Sequence, residues 1–431
     1  MRIALFEDAG AAGFAPIGHT RPVFELLCGH FSLRERLVRF LEVHEWGVFI
    51  RSQLAEVYRE EQPEAFVNDH AWLAEEPTLL INGRWLPTAE QLSQLADAED
   101  NVVGMCDGQV AFLLINPFET ALLSDEDFGD PLLKISGTRT AIEAAGRWIE
   151  RPWDLVDLNE ELLEQDFAQR DQHGGKVALD GAAVLGDPKH VFIHPTADVD
   201  PFVVIDARSG PVFVDADAKL QAFTRLEGPL FVGRGTQIFR ANVKAGTSIG
   251  PMCRVGGEIE ASTIHGFSNK YHDGFLGHSY VGSWVNLGAL TTNSDLKNDY
   301  SAVRVPLEGE PVDSGSTKVG CFIGDHSKTA LCSQFNTGSS IGVMTMILPS
   351  GELLPKHVPS FSRIWHGQID DKLDLESGLA TARIAMSRRN CDLSPAQERL
   401  LRRLYLQTEQ ERYDAIARVR AKQAGFSIVR P

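Results

Sequence analysis

The sequence has 431 residues, of which 43% are hydrophobic and 23% charged, and its formal net charge is −18. A chain of this length usually folds into two or three domains, and this composition is typical of soluble globular proteins. The negative charge argues against nucleic acid and membrane surfaces as partners, because polyanions and anionic lipids are repelled by an acidic protein. A small anionic substrate stays compatible with it, since a local basic pocket can overcome the global field.

Neither a signal peptide nor a membrane-spanning segment is predicted. The first strand-like run, at 3–6, leads directly into Glu7 and Asp8, whereas a signal peptide needs a longer apolar stretch. No apolar run approaches the length that crosses a bilayer. The six cysteines are scattered and form no CxxC pair, which favours reduced thiols over disulfides or a zinc site. These features predict a cytoplasmic protein.

Residues 1–175 alternate strand-like and helix-like segments. The predicted strands are 3–6, 46–50, 78–81 and 110–115, and the predicted amphipathic helices are 32–44 and 158–170. Such alternation favours an α/β layer fold with a parallel sheet. Gly174-Gly175 interrupts the pattern, so we place the domain boundary there.

From about residue 180, branched or apolar residues recur every six positions. The runs are Ile193, Val199 and Ile205; Val214, Leu220 and Leu226; Val232 and Ile238; Ile249 and Val255; Val281, Leu287 and Asn293; and Ile323, Thr329, Phe335, Ile341 and Ile347. A helical period of 3.6 cannot produce this spacing, and hairpin sheets give no fixed repeat of six. Three hexads can instead form one triangular coil, with the apolar residues pointing inward. The pattern predicts a left-handed parallel β-helix over 180–365.

Two interruptions and a C-terminal segment complete the organisation. The repeat is broken at 265–275 and at 296–315, and insertions in a solenoid become loops that often form the binding face. Ser394-Pro395-Ala396-Gln397 combines an N-cap, a first-turn proline and a capping-box glutamine. The charged, leucine-containing stretch at 398–423 predicts an amphipathic helix or helical pair that caps the open end of the solenoid.

The segment 268–289, which overlaps the first interruption, is dense in polar and aromatic residues and contains His272. A neutral imidazole beside a polar loop can take a proton from an amine as that amine attacks an acyl carbonyl. A single histidine is more often a structural group, so the residue type alone leaves both interpretations open.

This segment resembles the acetyltransferase half of the bifunctional bacterial enzyme that makes UDP-N-acetylglucosamine. The family pattern S-K-x-x-H-x-x-Y-L-G-D-x-x-I-G-x-x-V-N-I-G-A-G-T is matched by Ser268, His272, Leu276-Gly277, Val281-Gly282 and Val285-Asn286-Leu287-Gly288-Ala289. Upstream, Ile249-Gly250-Pro251-Met252-Cys253-Arg254 resembles the family's I-G-P-F-x-R.

The resemblance implies a role for each matched position. His272 corresponds to the general base, Asn286 to a sugar-binding asparagine, and Ala289 to a residue that lines the acetyl-CoA site. Arg254 corresponds to an arginine on the phosphate of the sugar substrate, and a planar guanidinium suits a phosphate. Phe275 stands where the family has a substrate-contacting tyrosine, so that hydroxyl contact is missing.

Two further candidates lie beyond the core motif. Lys297 is near the position of another phosphate-binding lysine of the family. Asn293 is a candidate for contacts with the amides of the acyl-CoA, with an asparagine stacked inside the coil as the alternative. The resemblance also implies acetyl-CoA as the cosubstrate and a homotrimer with active sites between subunits.

The N-terminal residues 14–29 resemble the start of sugar-phosphate nucleotidyltransferases, R-[LM]-x-P-L-T-x-x-x-P-K-P-L-L-P-x-x-G. The preceding glycine-rich loop is reduced to Ala9-Gly10-Ala11-Ala12-Gly13, and the lysine of the P-K pair is absent. Glycine lets backbone N–H groups approach phosphates, so Gly10 and Gly13 are candidate nucleotide-binding residues. The resemblance adds Arg21 as a third candidate.

The sequence does not identify the metal ligands. The nucleotidyltransferase family holds Mg²⁺ with an acid in a G-D pair, but the comparable place here reads Asn82-Gly83-Arg84. Asp8, Asp107, Asp154 and Asp157 are the alternative acids, although an acid of this kind is more often a solvated surface residue.

Taken together, the motifs resemble a divergent branch of the bifunctional UDP-N-acetylglucosamine pyrophosphorylase/glucosamine-1-phosphate N-acetyltransferase family. The expected architecture is a Rossmann-like α/β domain at 1–175, a left-handed β-helix at 180–365 and a helical segment at 370–431. The leading hypothesis is an acetyl-CoA-dependent N-acetyltransferase acting on an amino-sugar phosphate or a sugar nucleotide, with sugar-1-phosphate nucleotidyl transfer by the N-terminal domain left open as a second activity. The alternatives are a magnesium-dependent sugar-1-phosphate nucleotidyltransferase and a non-enzymatic scaffold that binds a sugar nucleotide.

Overall fold

The computed structural model describes residues 1–41, 43–95, 101–123, 129–169, 175, 180–370 and 372–423. The chain divides into two compact units. Unit 1 comprises Met1–Phe14, Thr20–Leu26 and Phe31–Arg151, and unit 2 comprises Ala15–His19, Leu27–His30 and Pro152–Pro431. No described helix is both long enough and apolar enough to cross a membrane.

Unit 1 is an α/β domain, which confirms the predicted class. Its strands are β1 (Arg2–Phe6), β2 (Glu45–Phe49), β3 (Phe66–Val67), β4 (Thr78–Asn82), β5 (Trp85–Pro87), β6 (Val102–Cys106), β7 (Gln109–Ile115), β8 (Thr140–Glu143) and β9 (Gly146–Trp148). Its helices are α1 (Leu33–Phe40), α2 (Ala55–Glu61), α3 (His70–Leu73), α4 (Ala89–Gln94) and α5 (Gly129–Ser136).

Seven of these strands form one sheet in the order β3-β2-β1-β4-β7-β6-β8. The first four run parallel, with fully buried apolar residues along β1 and β4. Strand β7 is antiparallel to β4 and β6. The pairing of β6 with β7 is antiparallel because the Asp107-Gly108 pair, with φ angles of 47° and 76°, builds a tight hairpin turn between them.

The main segment of unit 2, from Pro152 onward, starts with helices α6 (Pro152–Asp157) and α7 (Asn159–Gln169) and continues as many short strands. These are β10 (Ala183–Leu185), β11 (Val191–Ile193), β12 (Asp198–Val199), β13 (Val204–Asp206), β14 (Val212–Val214), β15 (Lys219–Leu220), β16 (Arg225–Glu227), β17 (Leu230–Val232), β18 (Gln237–Val243), β19 (Thr247–Ile249), β20 (Arg254–Glu260), β21 (Thr263–Gly266), β22 (Asn269–Lys270), β23 (Phe275–Gly277), β24 (Tyr280–Ser283), β25 (Thr292–Asn293), β26 (Arg304–Leu307), β27 (Glu310–Asp313), β28 (Cys321–Ile323), β29 (Lys328–Thr329), β30 (Gln334–Phe335), β31 (Ser339–Ile341), β32 (Met346–Ile347), β33 (His357–Val358), β34 (Arg363–Trp365) and β35 (Gln368–Asp370). Helices α8 (Leu375–Ser387), α9 (Pro395–Gln407) and α10 (Glu409–Gln423) follow.

The short strands confirm the predicted β-helix. Face 1 is the row of strands that runs through β12, β15, the first half of β18, the first half of β20, β22, β29, β32 and β34. Face 2 runs through β10, β13, β16, the second halves of β18 and β20, and β23, with β25 and β30 pairing further along the chain. Face 3 is the unbroken parallel row from β11 to β33.

The hexad residues fill the interior of the coils. Ile238, Val255, Ile323, Ile341 and Ile347 are all buried in one continuous core. At the corner between faces 3 and 1, non-glycine residues adopt a left-handed backbone with φ between 52° and 61°. They are Met252, Phe267, Trp284, His326, Met344 and Phe361. The Phe267 and Trp284 rings stack with centroids 4.4 Å apart, so the corner repeats regularly from coil to coil.

The second predicted interruption is an antiparallel hairpin of β26 and β27 that leaves the coil between faces 2 and 3. At its base, Nδ1 of His278 lies 2.8 Å from the Asp295 carboxylate. The buried valines Val303 and Val305 lie against the next coil near Gly338. The insertion is therefore a folded element rather than an open loop.

Helices flank the solenoid within unit 2. Leu163 and Phe167 of α7 pack against Phe192, Phe213 and Phe231 of face 3. At the far end, Ile416 of α10 joins the coil core, which agrees with the predicted capping of the open end. The contacts divide the chain after Arg151, earlier than the predicted boundary at 174–175, because α6 and α7 pack on the solenoid; Gly174 itself lies outside the described residues.

Candidate active site

A row of polar side chains crosses face 1 of the solenoid. In successive coils the outward positions of one column are Arg254, Asn269, Asn286 and Lys328, each in register with the next. Parallel strands lie about 4.8 Å apart, so one small ligand can touch several members of the row. Nδ2 of Asn269 donates to Oδ1 of Asn286 at 3.2 Å. The two candidates Arg254 and Asn286 therefore lie on one surface, with Asn269 between them.

His272 lies at the edge of this surface, in a four-residue loop at 271–274 between β22 and β23. The loop leaves the coil at the corner where β20 turns through Gly256 and Gly257. Its Tyr271 ring packs on Phe239 with centroids 4.2 Å apart, which holds the loop against the preceding coil. The imidazole of His272 is exposed to solvent, as a group that receives a substrate proton must be.

A buried lysine supports the loop from inside the coil. Lys270 is only 3% exposed and occupies an inward position, in register with the core residue Val255. Its ammonium group donates to the carbonyl of Gly256 at 2.9 Å and to the carbonyl of His272 at 3.0 Å. Burial lowers the pKa of Lys270 to about 8. Lys270 thus fixes the backbone of His272 to the scaffold.

The Ala289 corner stacks directly on the His272 loop. The Leu290 amide donates to the Asp273 carbonyl at 2.9 Å, which joins the two segments. A side chain at Gly274, whose φ is 128°, would collide with the Thr291 carbonyl, so only glycine fits there. Ala289 is half-buried beside this contact. The structure therefore brings the predicted acyl-CoA residue Ala289 next to the loop that carries His272.

Phe275 and Asn293 lie on face 2 instead. Phe275 is half-buried and begins β23, opposite Glu258. The Asn293 side chain is buried, and its amide accepts from the Gly277 N–H at 2.9 Å and donates to the Gly277 carbonyl at 3.0 Å. These contacts are those of an asparagine stacked inside the coil, which was the structural alternative for this position.

Lys297 belongs to the base of the hairpin insertion. Its ammonium donates to Oγ of Ser301 at 3.1 Å and to the carbonyl of Ala302. Among the described residues no contact joins Lys297 to Arg254 or to His272. Within a single chain, therefore, the predicted phosphate ligands Arg254 and Lys297 are not brought together.

In unit 1, charged groups gather at the carboxyl ends of the parallel strands, where α/β sheets usually bind ligands. After β1, the Asp8 carboxylate forms a two-point ion pair with Arg84 at 2.6 and 2.7 Å and also accepts from Asn82 at 2.9 Å. Burial acts to raise the pKa of Asp8, but the bonds from Arg84 outweigh it and hold the pKa below its usual value. The adjacent Glu7 is paired in the same way with Arg51.

The glycine-rich segment lies against two guanidinium groups. A Cβ at Gly10 would lie 2.3 Å from Cζ of Arg84, and a Cβ at Gly13 would lie 2.4 Å from Nη1 of Arg151. Positive charge beside a glycine backbone suits an anionic phosphate. The third candidate, Arg21, is half-buried, and its carbonyl accepts from Arg51 at 3.0 Å.

The acids of unit 1 that the structure describes do not fit a magnesium site. Asp8 and Glu7 are the acids at the sheet edge, and both are held by arginine. Asp107 lies in the β6–β7 turn, while Asp154 and Asp157 lie on α6 in unit 2. Within the part of the chain that the structure describes, no three histidine, cysteine or acidic side chains cluster as metal ligands would.

The sequence did not predict three residues of the face 1 site. Asn269 and Lys328 sit at outward positions, which the hexad pattern does not constrain. Lys270 did leave a signal: it stands six residues after the core residue Ile264, where the repeat calls for an apolar side chain. A charged residue at an inward hexad position marks the coil that carries the loop.

Comparisons with known proteins confirm the resemblance. Residues 3–173 match the family described as sugar nucleotidyl transferase. A bifunctional sugar-1-phosphate nucleotidylyltransferase/acetyltransferase of Sulfurisphaera tokodaii is 29% identical over 221 residues, covering 48% of this chain and 46% of that protein.

Two further relatives carry the name bifunctional protein GlmU. The protein of Bartonella bacilliformis is 25% identical over 302 residues, or 66% of this chain and 61% of the relative. The protein of Methanocaldococcus jannaschii is 26% identical over 206 residues, or 47% and 43%. The chain thus matches between about two fifths and three fifths of the length of these relatives.

The burial of Lys270 predicts a specific pH dependence of stability. Its pKa is lowered to about 8 in the folded chain, whereas an unfolded lysine keeps a value near 10.5. Between these two values the unfolded state binds more protons, so the free energy of unfolding rises with pH. Relative to Lys270→Met, the wild type should gain up to about 3 kcal/mol between pH 7 and pH 11, measured by urea denaturation of both chains.

The exposed Lys219, in the same column of face 1, provides the matched control. Lys219→Met should differ from the wild type by the same amount at both pH values. If the Lys270→Met difference were also independent of pH, the ammonium group would not be buried as described.

Proposed function

We propose that unit 2 is an acetyl-CoA-dependent N-acetyltransferase that acts on an amino-sugar phosphate or a sugar nucleotide. One observation carries the proposal: the solenoid places Arg254 and Asn286 in one polar row and stacks the Ala289 corner on the His272 loop. The names of the similar proteins, which include acetyltransferase and nucleotidylyltransferase, support the same chemistry.

In this proposal each residue has a separate task. Arg254 holds the phosphate and Asn286 a sugar hydroxyl, which positions the amine near the loop. The nitrogen of the substrate amine attacks the thioester carbonyl, and His272 takes the proton that this amine loses. The new C–N bond replaces the C–S bond, and the proton leaves with the thiol of coenzyme A. Lys270 keeps the His272 backbone in place without touching the substrate.

Replacing the general base tests the assignment. His272→Ala should lower the rate of acetyl transfer from acetyl-CoA to glucosamine 1-phosphate by about 10²- to 10⁴-fold, measured by release of free thiol. His366→Ala, which removes another exposed histidine of unit 2, should leave the rate unchanged. Near-normal turnover in His272→Ala would refute a catalytic role for this residue.

We also propose that the active form is a homotrimer. One flat face of a solenoid offers only one wall of a binding groove, and Lys297 lies apart from Arg254 within the chain, so a neighbouring subunit has to complete the site. Light scattering of the full chain at micromolar concentration should give three times the mass of one chain. A monomer that retains full acetyltransferase activity would contradict this proposal.

A second candidate function is sugar-1-phosphate nucleotidyl transfer in unit 1. The match of residues 3–173 to the sugar nucleotidyl transferase family favours it. The Arg151 guanidinium beside Gly13 is suited to hold a phosphate, whereas the Arg84 guanidinium beside Gly10 is already paired with Asp8. The pairing of Asp8 with Arg84 leaves this acid unsuited to bind magnesium, so we derive no step through a metal.

Pyrophosphate release from a panel of nucleoside triphosphates and sugar 1-phosphates, with magnesium present, tests this candidate. The wild type should release pyrophosphate with at least one pair. Gly10→Ala should reduce release by about 10- to 100-fold, because the new methyl group displaces the Arg84 guanidinium by roughly 1 Å or more.

Gly137→Ala is the matched control, since the nearest atom to its added Cβ lies at 3.5 Å. Equal activity of the Gly10→Ala chain and the control would separate the glycine-rich segment from catalysis. No release across the whole panel would instead favour a unit 1 that only binds the nucleotide sugar.

A further inference from the structure

We propose that Arg389, at the C-terminal end of α8, joins Arg254 to form a binding site for a phosphate monoester on face 1. The C-terminal helices would then contribute directly to ligand binding as well as closing the solenoid. The proposal deepens the acetyltransferase assignment and rests on it for the identity of the ligand. Its physical evidence is independent of that assignment.

Arg254 and Arg389 both lie next to Asn269 of the polar row. Nη2 of Arg389 donates to Oδ1 of Asn269 at 2.8 Å. Asn269 is the direct register partner of Arg254 in the adjacent coil. Within the described ranges, the guanidinium of Arg254 donates to backbone carbonyls alone, of which the nearest is that of Cys253 at 3.0 Å. Both arginine side chains are half-buried, so both are accessible to a small ligand.

Neither guanidinium contacts a carboxylate among the residues that the structure describes. Burial and the positive charge of Arg389 lower the pKa of Arg254, while burial and Arg388 lower that of Arg389. Among the described groups, the Cys253 thiol would raise the pKa of both arginines if it were charged. It is fully buried, however, and burial raises the pKa of the thiol itself to about 12. The thiol is therefore neutral, and the described part of the chain supplies no counter-ion to the two cations.

Three other arginines of unit 2 are paired with carboxylates inside the fold. In coils nearer its N-terminal end, Arg208 and Arg225 both pair with Asp206 at 2.7 and 2.6 Å. On the same outward column as Arg254, Arg363 pairs with Asp370 at 2.6 Å. In a chain with 59 acids and 41 basic residues, two adjacent unpaired arginines indicate a place reserved for an anion.

A hydrogen-bond donor also points to a missing ligand. Nε of Arg389 is buried and has no partner among the described residues, although buried N–H groups are almost always paired. The end of α8 aims this side chain at the row: Asn390 takes a left-handed φ of 56°, and the Cys391 N–H returns to the Met386 carbonyl. A phosphate bound between Arg254 and Arg389 would compensate both charges.

Two ligands of the proposed reaction carry a phosphate monoester, namely the sugar phosphate and the 3′-phosphate of coenzyme A. Arg254 and Asn286 share the row with Arg389, so we expect the sugar phosphate. The two sources can be separated by comparing glucosamine 1-phosphate with coenzyme A and with dephospho-coenzyme A, which lacks the 3′-phosphate.

Calorimetric titration of the full chain with these three probes tests the site. Arg389→Gln should weaken binding of glucosamine 1-phosphate by about tenfold, the loss expected for one charge-assisted hydrogen bond. Arg389→Lys should recover part of this loss, because it keeps the charge without the planar fork. The exposed neighbour Arg388 provides the control, and Arg388→Gln should bind as the wild type does.

The possible outcomes separate this inference from the proposed function. Weaker binding of coenzyme A but not of dephospho-coenzyme A in Arg389→Gln would support the phosphate site and assign it to the coenzyme. Unchanged binding of every probe, equal weakening in Arg388→Gln, or no binding by the wild type would overturn it. A chain that binds glucosamine 1-phosphate through Arg389 but transfers no acetyl group would refute only the proposed function. Normal transfer with an unchanged KM in Arg389→Gln would refute only the site.

Discussion

The stacking of one inward residue on its equivalent in the next coil is the constraint on which unit 2 depends. Ile238, Val255 and their counterparts form a continuous buried column, and any slip of the register would move a whole strand's side chains to the opposite surface. The same stacking fixes the outward positions. Arg254, Asn269, Asn286 and Lys328 form a straight row because the core beneath them repeats at the strand spacing.

The site occurs where this constraint is relaxed. Lys270 occupies a core position, and a buried ammonium costs free energy unless it is hydrogen-bonded or neutral. The structure offsets this cost with two carbonyls, one from Gly256 and one from His272, and with a lowered pKa. An apolar residue at 270 would suit the core better but would leave the His272 loop without its anchor. The scaffold therefore gives up local stability where it positions the candidate base.

Local patterns predicted more of the fold than of the site. Six-residue spacing depends on neighbouring coils alone, so the β-helix could be predicted, and the capping box at Ser394 located the start of α9. The contact of Arg389 with Asn269 spans 120 residues, and no sequence pattern encodes which helix end reaches which coil. The hairpin at 304–313 was likewise predicted only as an interruption, because its strands pair through a turn outside the hexad rule.

Unit 1 was less predictable because its strands and helices obey no strict repeat. The Asp107-Gly108 pair is a hairpin signal that the apolar runs on either side obscured. The pairing of Asp8 with Arg84 joins residues 76 positions apart. From the sequence, the Asn82-Gly83-Arg84 segment showed only that an expected acid was absent. The structure shows in addition that the Arg84 guanidinium occupies the edge of the sheet.

Arg84 in unit 1 and the two arginines Arg254 and Arg389 in unit 2 differ in the partners of their guanidinium groups. In unit 1, Arg84 is bound by Asp8 at two points and also donates to Gln109 and Ile149, so its charge is already compensated inside the fold. In unit 2, the charges of Arg254 and Arg389 meet amide and carbonyl oxygens, whose dipoles satisfy individual donors but cannot neutralise a cation. A compensated arginine stabilises its own fold, whereas two uncompensated arginines on an acidic chain keep a binding capacity for an external anion. Whether a carboxylate pairs with an arginine therefore distinguishes a structural role from a ligand-binding one better than the position of that arginine in a motif does.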